Sequence, residues 1–254
     1  VMTPLGLFGM AISTAVFPRL AEQAAREEDE LPDTLSRALR LILYLTIPAS
    51  VGLMILAQPL TAFLLRSGAF TAGSADLVAP ALVFYALALF AHAGIEILSR
   101  GFYALSDTRT PVTFAVASMA INLALSAALV WPFGIEGLAL ALSIATIVEF
   151  ALLARALFGR LDGFDPRPVV LSVVRTGLAT VVMAEVVALW LAFLRLGGLL
   201  ELGSKLESGM AVTGGALAGA AAFYIASRVL HSDEAAVLGA RLPLPAAVRR
   251  LAGA

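Results

Sequence analysis

Long apolar runs alternate with short polar segments along this chain, and their lengths predict membrane-spanning helices. A helix that crosses a bilayer needs about 20 mostly apolar residues. Seven stretches meet that requirement, at 1–20, 39–65, 74–105, 110–131, 135–158, 168–196 and 208–230. The apolar residues are continuous through each stretch, whereas the strands of a membrane barrel would alternate. The pattern therefore predicts an all-α polytopic membrane protein with about seven transmembrane helices.

One strongly polar insert, residues 21–40, separates the first two apolar stretches. Its acidic run at 27–30 predicts a turn, and Pro32 is suited to restart a helix. Apolar residues then recur at helical spacing, at Leu31, Leu35, Ala38 and Leu39. We expect this insert to form a solvated amphipathic helix that lies at the membrane interface.

Composition supports a membrane protein and excludes several other classes. Apolar residues make up 60% of the 254 residues and charged residues only 14%, against about a quarter charged in soluble domains. A net charge of −1 gives no support to nucleic-acid binding. The absence of cysteine excludes disulfides and thiolate sites, and two histidines are too few for a histidine-rich metal site. No P-loop, HExxH or GxSxG motif is present. We therefore expect a transporter, with no catalytic residue, cofactor or metal.

The basic residues of the loops predict the orientation of the chain, because arginine and lysine collect on the cytoplasmic side. Alternate loops sort into a rich set and a poor set. The rich set contains Arg19, Arg26, Arg37, Arg40, Arg100, Arg109, Arg155, Arg160, Arg167, Arg228, Arg241, Arg249 and Arg250. The poor set contains Arg66, Arg195 and Lys205. We thus expect a multi-pass plasma-membrane protein with a cytoplasmic C-terminus, and a weakly ordered tail after His231. Because the chain opens inside an apolar run without Met, we interpret it as a C-terminal fragment.

Three ionisable residues form a polar stripe on the third predicted span. His92, Glu96 and Arg100 are spaced by four, which places them on one face of a helix. An ionisable stripe must face the protein interior or water rather than lipid. It would either line a path for an anionic substrate, or act as a proton-sensitive gate. The structural alternative is a Glu96–Arg100 pair, with His92 held by a neighbouring helix and Arg100 reaching the interface.

Other polar residues within the apolar stretches admit two interpretations. Asn122, with Ser118 and Ser126 one turn away on either side, would either join helices or line a cavity. Glu149 and Glu185 would serve ion coupling or form internal pairs, and Arg175 would face the same groove as Glu185. Small residues at 137–143 and 214–219 predict close helix packing.

The segment 101–111, Gly-Phe-Tyr-Ala-Leu-Ser-Asp-Thr-Arg-Thr-Pro, predicts a cytoplasmic turn. Asp107 is placed to cap the following helix, and Arg109 would contact lipid headgroups or a phosphate. This segment, with Phe102, Tyr103, Asp107, Arg109 and Pro111, resembles the signature loop of the MurJ/MviN lipid II flippase family. Residues 4–20 and 58–71 resemble two further stretches of that family, and the resemblance covers residues 1–230.

The resemblance implies a fold within the multidrug/oligosaccharidyl-lipid/polysaccharide exporter superfamily, with two lobes of six helices and two additional helices. On that map, residues 1–160 are the C-terminal lobe, 161–231 form two groove helices that accommodate lipid, and 232–254 are a cytoplasmic tail. The implied function is outward flipping of lipid II, an undecaprenyl-diphosphate-linked peptidoglycan precursor, by alternating access without ATP. A monomer is expected, with membrane lipid and this saccharide substrate as its partners.

The resemblance also sorts the candidate residues. His92, Glu96, Arg100 and Asn122 become candidates for the substrate cavity, and Arg175 and Glu185 become candidates for the groove. The main cavity arginines of the family belong mostly to its N-terminal lobe, which residues 1–254 do not include. Asn122 matches one ligand of a cation site found in some relatives, but Ser126 and Leu142 stand at the other two positions. Alternatives are an exporter of another polyprenyl-linked saccharide or of a small cationic drug, and a non-transporting membrane scaffold.

Overall fold

A computed structural model describes residues 11–26, 30–65, 72–161, 163–198 and 204–241. Within these ranges every regular element is a helix, so the prediction of an all-α chain is confirmed. The helices are α1 (Ala11–Ala25), α2 (Leu31–Ile55), α3 (Ala57–Leu65), α4 (Ala72–Leu87), α5 (Leu89–Ala104), α6 (Arg109–Phe158), α7 (Arg167–Leu196), α8 (Lys205–Val229) and α9 (Asp233–Arg241). In the described ranges, five stretches are long and apolar enough to cross a membrane.

The long helix α6 is a hairpin of two arms, 109–133 and 135–158. Gly134 has a φ of 56° and a ψ of −129°, a left-handed backbone that favours glycine. The Ser118 hydroxyl on the first arm donates to the Ala145 carbonyl on the second at 3.1 Å, so the arms run antiparallel. Each arm is about as long as a spanning helix. The two arms correspond to the fourth and fifth predicted spans.

The third predicted span is a bent pair of helices. Helix α4 ends at Leu87 and α5 begins at Leu89, with a break in helical geometry at Ala88. The Ser143 hydroxyl of α6 donates to the Phe84 carbonyl at 2.5 Å, just before this break. The bend is thus supported by a polar contact from the neighbouring helix.

The helix restart predicted at Pro32 is confirmed, but residues 31–40 are the first part of one long apolar helix rather than a separate interfacial helix. Helix α1 continues through Ala25, and α2 begins at Leu31, with Pro32 in its first turn. The apolar positions of the insert, Leu31, Leu35, Ala38 and Leu39, are all buried in the helix bundle. They continue the apolar face of the following span in helical register. One longer helix therefore buries the apolar positions of the insert together with those of the span. The N-terminal half of the first predicted span lies outside the described residues.

The predicted weak order of the tail is also wrong for residues 233–241. Helix α9 forms there, with two acidic residues in its first turn, where the helix dipole favours negative charge. Ala235 is wholly buried, because α9 folds back against the bundle. Residues 242–254 lie outside the described part of the chain.

Two buried apolar clusters organise the bundle. The first draws on α1, α2, α5, α6 and the start of α7, and includes Leu39, Phe102, Leu157 and Val169. The second draws on α2, α7, α8 and α9, and includes Tyr44, Val187 and Phe223. Helices α2 and α7 belong to both clusters and therefore link the two groups of helices.

The start of α2, the end of α5 and the end of α6 lie at the same end of the bundle. A Cβ atom added at Gly101 would lie 2.7 Å from a Leu157 methyl and 3.3 Å from a Leu35 methyl. We name this end, which carries Arg40, Arg100 and Arg160, the basic end.

Glycines allow α7 and α8 to approach closely, as the small-residue pattern predicts. An added Cβ at Gly219 would come within 2.8 Å of Val187, and one at Gly214 within 2.4 Å of Trp190. Both distances are shorter than a normal van der Waals contact, so neither position has room for a larger residue without a shift of its neighbour.

The hairpin of α6 provides a test of this packing. A Cβ at Gly137 would lie 2.2 Å from the Leu129 carbonyl oxygen, a backbone atom that cannot rotate away. We expect Gly137→Ala to lower the free energy of unfolding by about 1–3 kcal/mol, the usual cost of overpacking. Thermal unfolding of the purified protein in detergent would measure the change.

The matched control is Gly177→Ala, because nothing lies within 4 Å of a Cβ added there. That variant should be neutral or slightly more stable, since alanine favours a helix over glycine. Equal stability of the two variants would contradict the close approach of the hairpin arms.

Candidate functional site

The polar stripe His92, Glu96 and Arg100 lies on α5, beyond the bend at Ala88. The Glu96 carboxylate and the Arg100 guanidinium form an ion pair at 3.9 Å, with side chains 34% and 25% exposed. His92 is half-buried one turn earlier. A partly exposed pair of this kind contributes little to stability.

The opposite face of α5 fixes the direction of the stripe. Gly94 and Gly101 are buried, and Cβ atoms added there would meet Phe150 and Leu157 of α6. The Arg100 guanidinium lies over the Phe17 ring of α1, 5.8 Å from its centroid. The stripe is therefore held between the packed α5–α6 contact and the edge of α1, near the basic end.

Asn122 is half-buried on the first arm of α6 and forms a contact within its own helix. Its side-chain oxygen accepts a hydrogen bond from the Ser126 hydroxyl at 3.2 Å. Glu149, also half-buried, lies on the second arm within hydrogen-bonding reach of Ser118. These residues form a polar row between the two arms of the hairpin, and the described contacts do not join Asn122 to the stripe.

The turn between α5 and α6 is ordered around Asp107. Its carboxylate accepts hydrogen bonds from the Arg109 and Thr110 amides at 2.9 and 3.0 Å and from the Thr110 hydroxyl at 2.6 Å. The Arg160 guanidinium donates to the same carboxylate. The Thr110 and Arg160 hydrogen bonds lower the pKa of the Asp107 carboxyl well below its ordinary value. Asp107 thus caps α6, as its position in the sequence predicts, and ties the two ends of α6 together.

The other residues of the turn motif divide between core and surface. Phe102 is wholly buried and lies under the Arg160 guanidinium, 5.4 Å from ring centroid to Cζ. Pro111 is buried, whereas Tyr103 and Arg109 are exposed. Tyr103 and Arg109 are therefore the members of the motif that are free to contact a partner outside the bundle.

An apolar groove of about 410 Å³ lies between α2, α7 and α8. Its walls are aliphatic, aromatic and glycine residues, including Leu45, Pro48, Gly52, Leu56, Leu60, Met183, Val187, Gly215, Gly219 and Phe223. No charged side chain is among the described residues that line it. A groove with this lining fits an extended hydrocarbon chain.

The sequence predicted that Arg175 and Glu185 face the groove, but neither residue lines it in the structure. Arg175 turns towards the start of α9 and donates to the His231 carbonyl at 2.9 Å. Glu185 is exposed on the outer, apolar face of α7 and has no ion pair or hydrogen bond within the described ranges. Ten residues along a helix correspond to almost three turns, so the two side chains lie at different heights and on different faces.

Sequence reasoning missed a polar junction at the basic end. Arg40 of α2 donates from Nε to the Glu234 carboxylate and from Nη2 to that of Asp233, both at 2.7 Å. The Ser172 and Ser232 hydroxyls donate to Glu234 at 3.0 and 2.8 Å. Burial alone would raise the pKa of the Glu234 carboxyl, but these hydrogen bonds and the Arg40 charge lower it below its ordinary value. In the sequence, the contact with Arg40 is indicated only by the two adjacent acidic residues that follow Ser232, Asp233 and Glu234.

Taken together, the fold and the site define a polytopic membrane protein of the transporter class. Apolar spanning helices enclose an apolar groove, and a polar stripe lies near one end. Among the described residues, no group of histidine, cysteine and acidic side chains could hold a metal ion.

Comparisons with known proteins identify the family. A sequence profile for a family described as "Lipid II flippase MurJ" matches residues 1–202. A Vibrio cholerae protein named "Probable lipid II flippase MurJ" is 34% identical over 214 residues, 79% of this chain and 41% of its own length. A Rhizobium meliloti protein of the same name is 32% identical over 194 residues, 75% of this chain and 36% of its own length. The chain therefore belongs to the MurJ lipid II flippase family.

A solved structure supports the same assignment. The structure described as "Lipid II flippase MurJ, inward closed conformation" is similar, with a TM-score of 0.72 and 25% identity. The similarity covers 91% of this chain and 45% of that structure. The chain thus spans about two fifths of the length of these two curated relatives.

Proposed function

We propose that this chain forms the C-terminal part of a flippase that moves lipid II from the cytoplasmic to the outer leaflet. The observation that carries the proposal is the apolar groove between α2, α7 and α8, in a chain that belongs to the MurJ family. Lipid II joins a long polyprenyl chain to a charged diphosphate and a saccharide. A groove without charged lining residues suits the polyprenyl chain, and a polar stripe suits the charged head.

The proposal assigns different tasks to different parts of the chain. Residues 1–160 would form one lobe of an alternating-access transporter, and 161–231 would add the two helices of the groove. The basic end would face the cytoplasm in the bacterial plasma membrane, in agreement with the arginine-rich loops. His92, Glu96 and Arg100 would then contact the charged head near its point of entry. The protein would act as a monomer in peptidoglycan biosynthesis, a process that maintains cell shape.

The direct test is genetic rescue. The full-length protein should restore growth and normal shape to a bacterium depleted of its own lipid II flippase. Appearance of lipid II in the outer leaflet of the rescued cells should follow. A well-expressed protein that fails to rescue would contradict the proposal, and would favour an exporter of another lipid-linked saccharide or a scaffold.

Filling the groove tests its part in transport. Gly52 lines the groove, and a Cβ added there would have only one described neighbour within 4 Å, a Met183 methyl at 3.9 Å. Gly52→Phe should therefore fold but occupy the groove, and rescue should fall by about tenfold or more, since the bulky ring blocks an apolar chain. Gly177→Phe, a helical glycine outside the groove lining, should rescue normally. Equal rescue by both variants would mean that the groove does not carry the lipid.

Removing the charge of Arg100 tests the stripe. Arg100→Ala should reduce outward movement of lipid II by about tenfold or more, the effect of losing one charge-assisted hydrogen bond to a diphosphate. The matched control is Arg155→Ala, since Arg155 is exposed in the last turn of α6. Normal flipping by Arg100→Ala at normal expression would make the Glu96–Arg100 pair structural.

A further inference from the structure

The polar junction at the basic end joins α9 to α2 and α7, two of the helices that form the groove. Glu234 of α9 is buried, and its carboxylate is bonded to Arg40 of α2 and Ser172 of α7. Helix α9 follows α8 through a turn of only three residues, Leu230–Ser232. The junction therefore fixes the same ends of α2, α7 and α8 relative to one another.

The turn into α9 is held in an unfavourable backbone conformation. His231 has a φ of 53°, in the left-handed region that residues other than glycine seldom occupy. The Ser232 amide donates to the Ser227 carbonyl at 3.0 Å, which closes the end of α8. Arg175 of α7 donates to the His231 carbonyl. Such a conformation persists only where surrounding contacts hold it. These two hydrogen bonds therefore fix the direction in which α9 leaves α8.

The junction connects directly to the wall of the groove. Tyr44 lies one turn after Arg40 on the same face of α2, and its ring packs against Phe223 of α8 with centroids 4.9 Å apart. Phe223 lines the groove, and Leu45 begins its lining on α2. Ala235, next to Glu234, belongs to the same buried cluster as Tyr44 and Phe223. Phe223 is thus the lining residue nearest the basic end on α8, Tyr44 packs against it, and α9 contributes Ala235 to the same buried cluster.

The cleft around the junction carries balanced charge, so it does not suit a charged ligand while α9 is docked. Its ionisable lining residues comprise three arginines and three carboxylates, Arg40, Arg167, Arg175, Asp165, Asp233 and Glu234. Two of the carboxylates belong to α9 and bind Arg40. The charge of Arg40 in this cleft is therefore neutralised by carboxylates of the same chain. We take the contact between α2 and α9 to be the role of these residues.

We propose that α9 is a latch that closes the groove at the basic end. While Asp233 and Glu234 hold Arg40, Tyr44 stays against Phe223 and the groove ends at this aromatic pair. When the carboxylates release Arg40, the aromatic pair separates and the groove opens towards the basic end. The latch concerns only the shape of the groove. The proposal is therefore the same for any lipid that the protein transports.

Cysteine labelling tests the latch, because this chain contains no cysteine of its own. Leu45→Cys would report on the groove next to the aromatic pair, and Leu60→Cys on a more distant part of the same groove. The full-length protein would be placed in nanodiscs, with any other cysteine replaced, and treated with a water-soluble maleimide. The rate of labelling measures how freely water reaches each position.

Breaking the latch should admit water at one position only. In Glu234→Ala, labelling of the Leu45→Cys site should become faster by about tenfold or more, the shift expected from losing a charge-assisted hydrogen bond. Labelling at the Leu60→Cys site should stay unchanged. Asp165→Asn is the matched control, since Asp165 lines the same cleft but bonds the Arg167 amide rather than Arg40. It should leave both rates unchanged.

A charge exchange separates the latch from a general loss of structure. Arg40→Glu combined with Asp233→Asn and Glu234→Arg should restore slow labelling at the Leu45→Cys site, because an ion pair is kept and no carboxylate of α9 faces the new one on α2. Unchanged labelling there in Glu234→Ala would overturn the latch. Faster labelling at both positions would also overturn it, because that result means general loosening. None of these rates depends on flipping, so failure of genetic rescue and failure of the latch are independent results.

Discussion

Hydrocarbon offers no hydrogen-bond partner, and this constraint determines where the polar groups of the chain are placed. Several hydroxyls within the spans bond to carbonyls of the protein, either between packed helical segments, as Ser118 does to Ala145, or within one segment, as Thr46 does to Ile42. Charged groups that bond strongly lie at the basic end, where Arg160 binds Asp107 and Arg40 binds Glu234. The helix ends at the basic end are therefore held together by ion pairs, and the middle of the bundle is held together by close packing of side chains.

In the middle of the bundle, small residues serve two purposes. Gly215 and Gly219 allow α8 to approach α2 and α7, because their absent side chains make room for Leu56 and Val187. The same glycines and Gly52 line the groove. Close packing on one side and open space on the other thus arise from the same residues. At Gly215 and Gly219 a larger side chain would disturb both the packing and the groove, whereas Gly52 has room for one and would change the groove alone.

Features that depend on local sequence could be predicted, and those that depend on distant contacts could not. Apolar length predicted the spans, and the position of Asp107 before Thr110 and Pro111 predicted its capping role. The continuation of the helix that begins at Leu31 into the next span was missed, because periodicity alone does not show where an amphipathic segment ends. Helix α9 was missed because its order depends on Arg40, 193 residues before Asp233.

The candidate site follows the same division. Spacing alone indicated the Glu96–Arg100 pair, because residues four apart meet on one helix. The direction of Arg175 and Glu185 required the packing of α7 against three other elements. Two turns were difficult to predict because the residue with positive φ is not glycine. Ser106 and His231 have φ values of 59° and 53° at positions where a glycine would have indicated a helix end.

Helix α2 is a physical connection between the first buried cluster and the groove. It contributes to both buried clusters, and Pro48 lies within it at the groove wall. Proline has no amide hydrogen, so the carbonyl of Tyr44, four residues earlier, loses its helical donor and the helix bends more easily there. The part of α2 that carries Arg40 is held by α9, whereas the part beyond Pro48 packs against α7 and α8. A bend at Pro48 would therefore change the groove without breaking either cluster, and α7, whose Val169 belongs to the first cluster, connects that cluster to the groove as well.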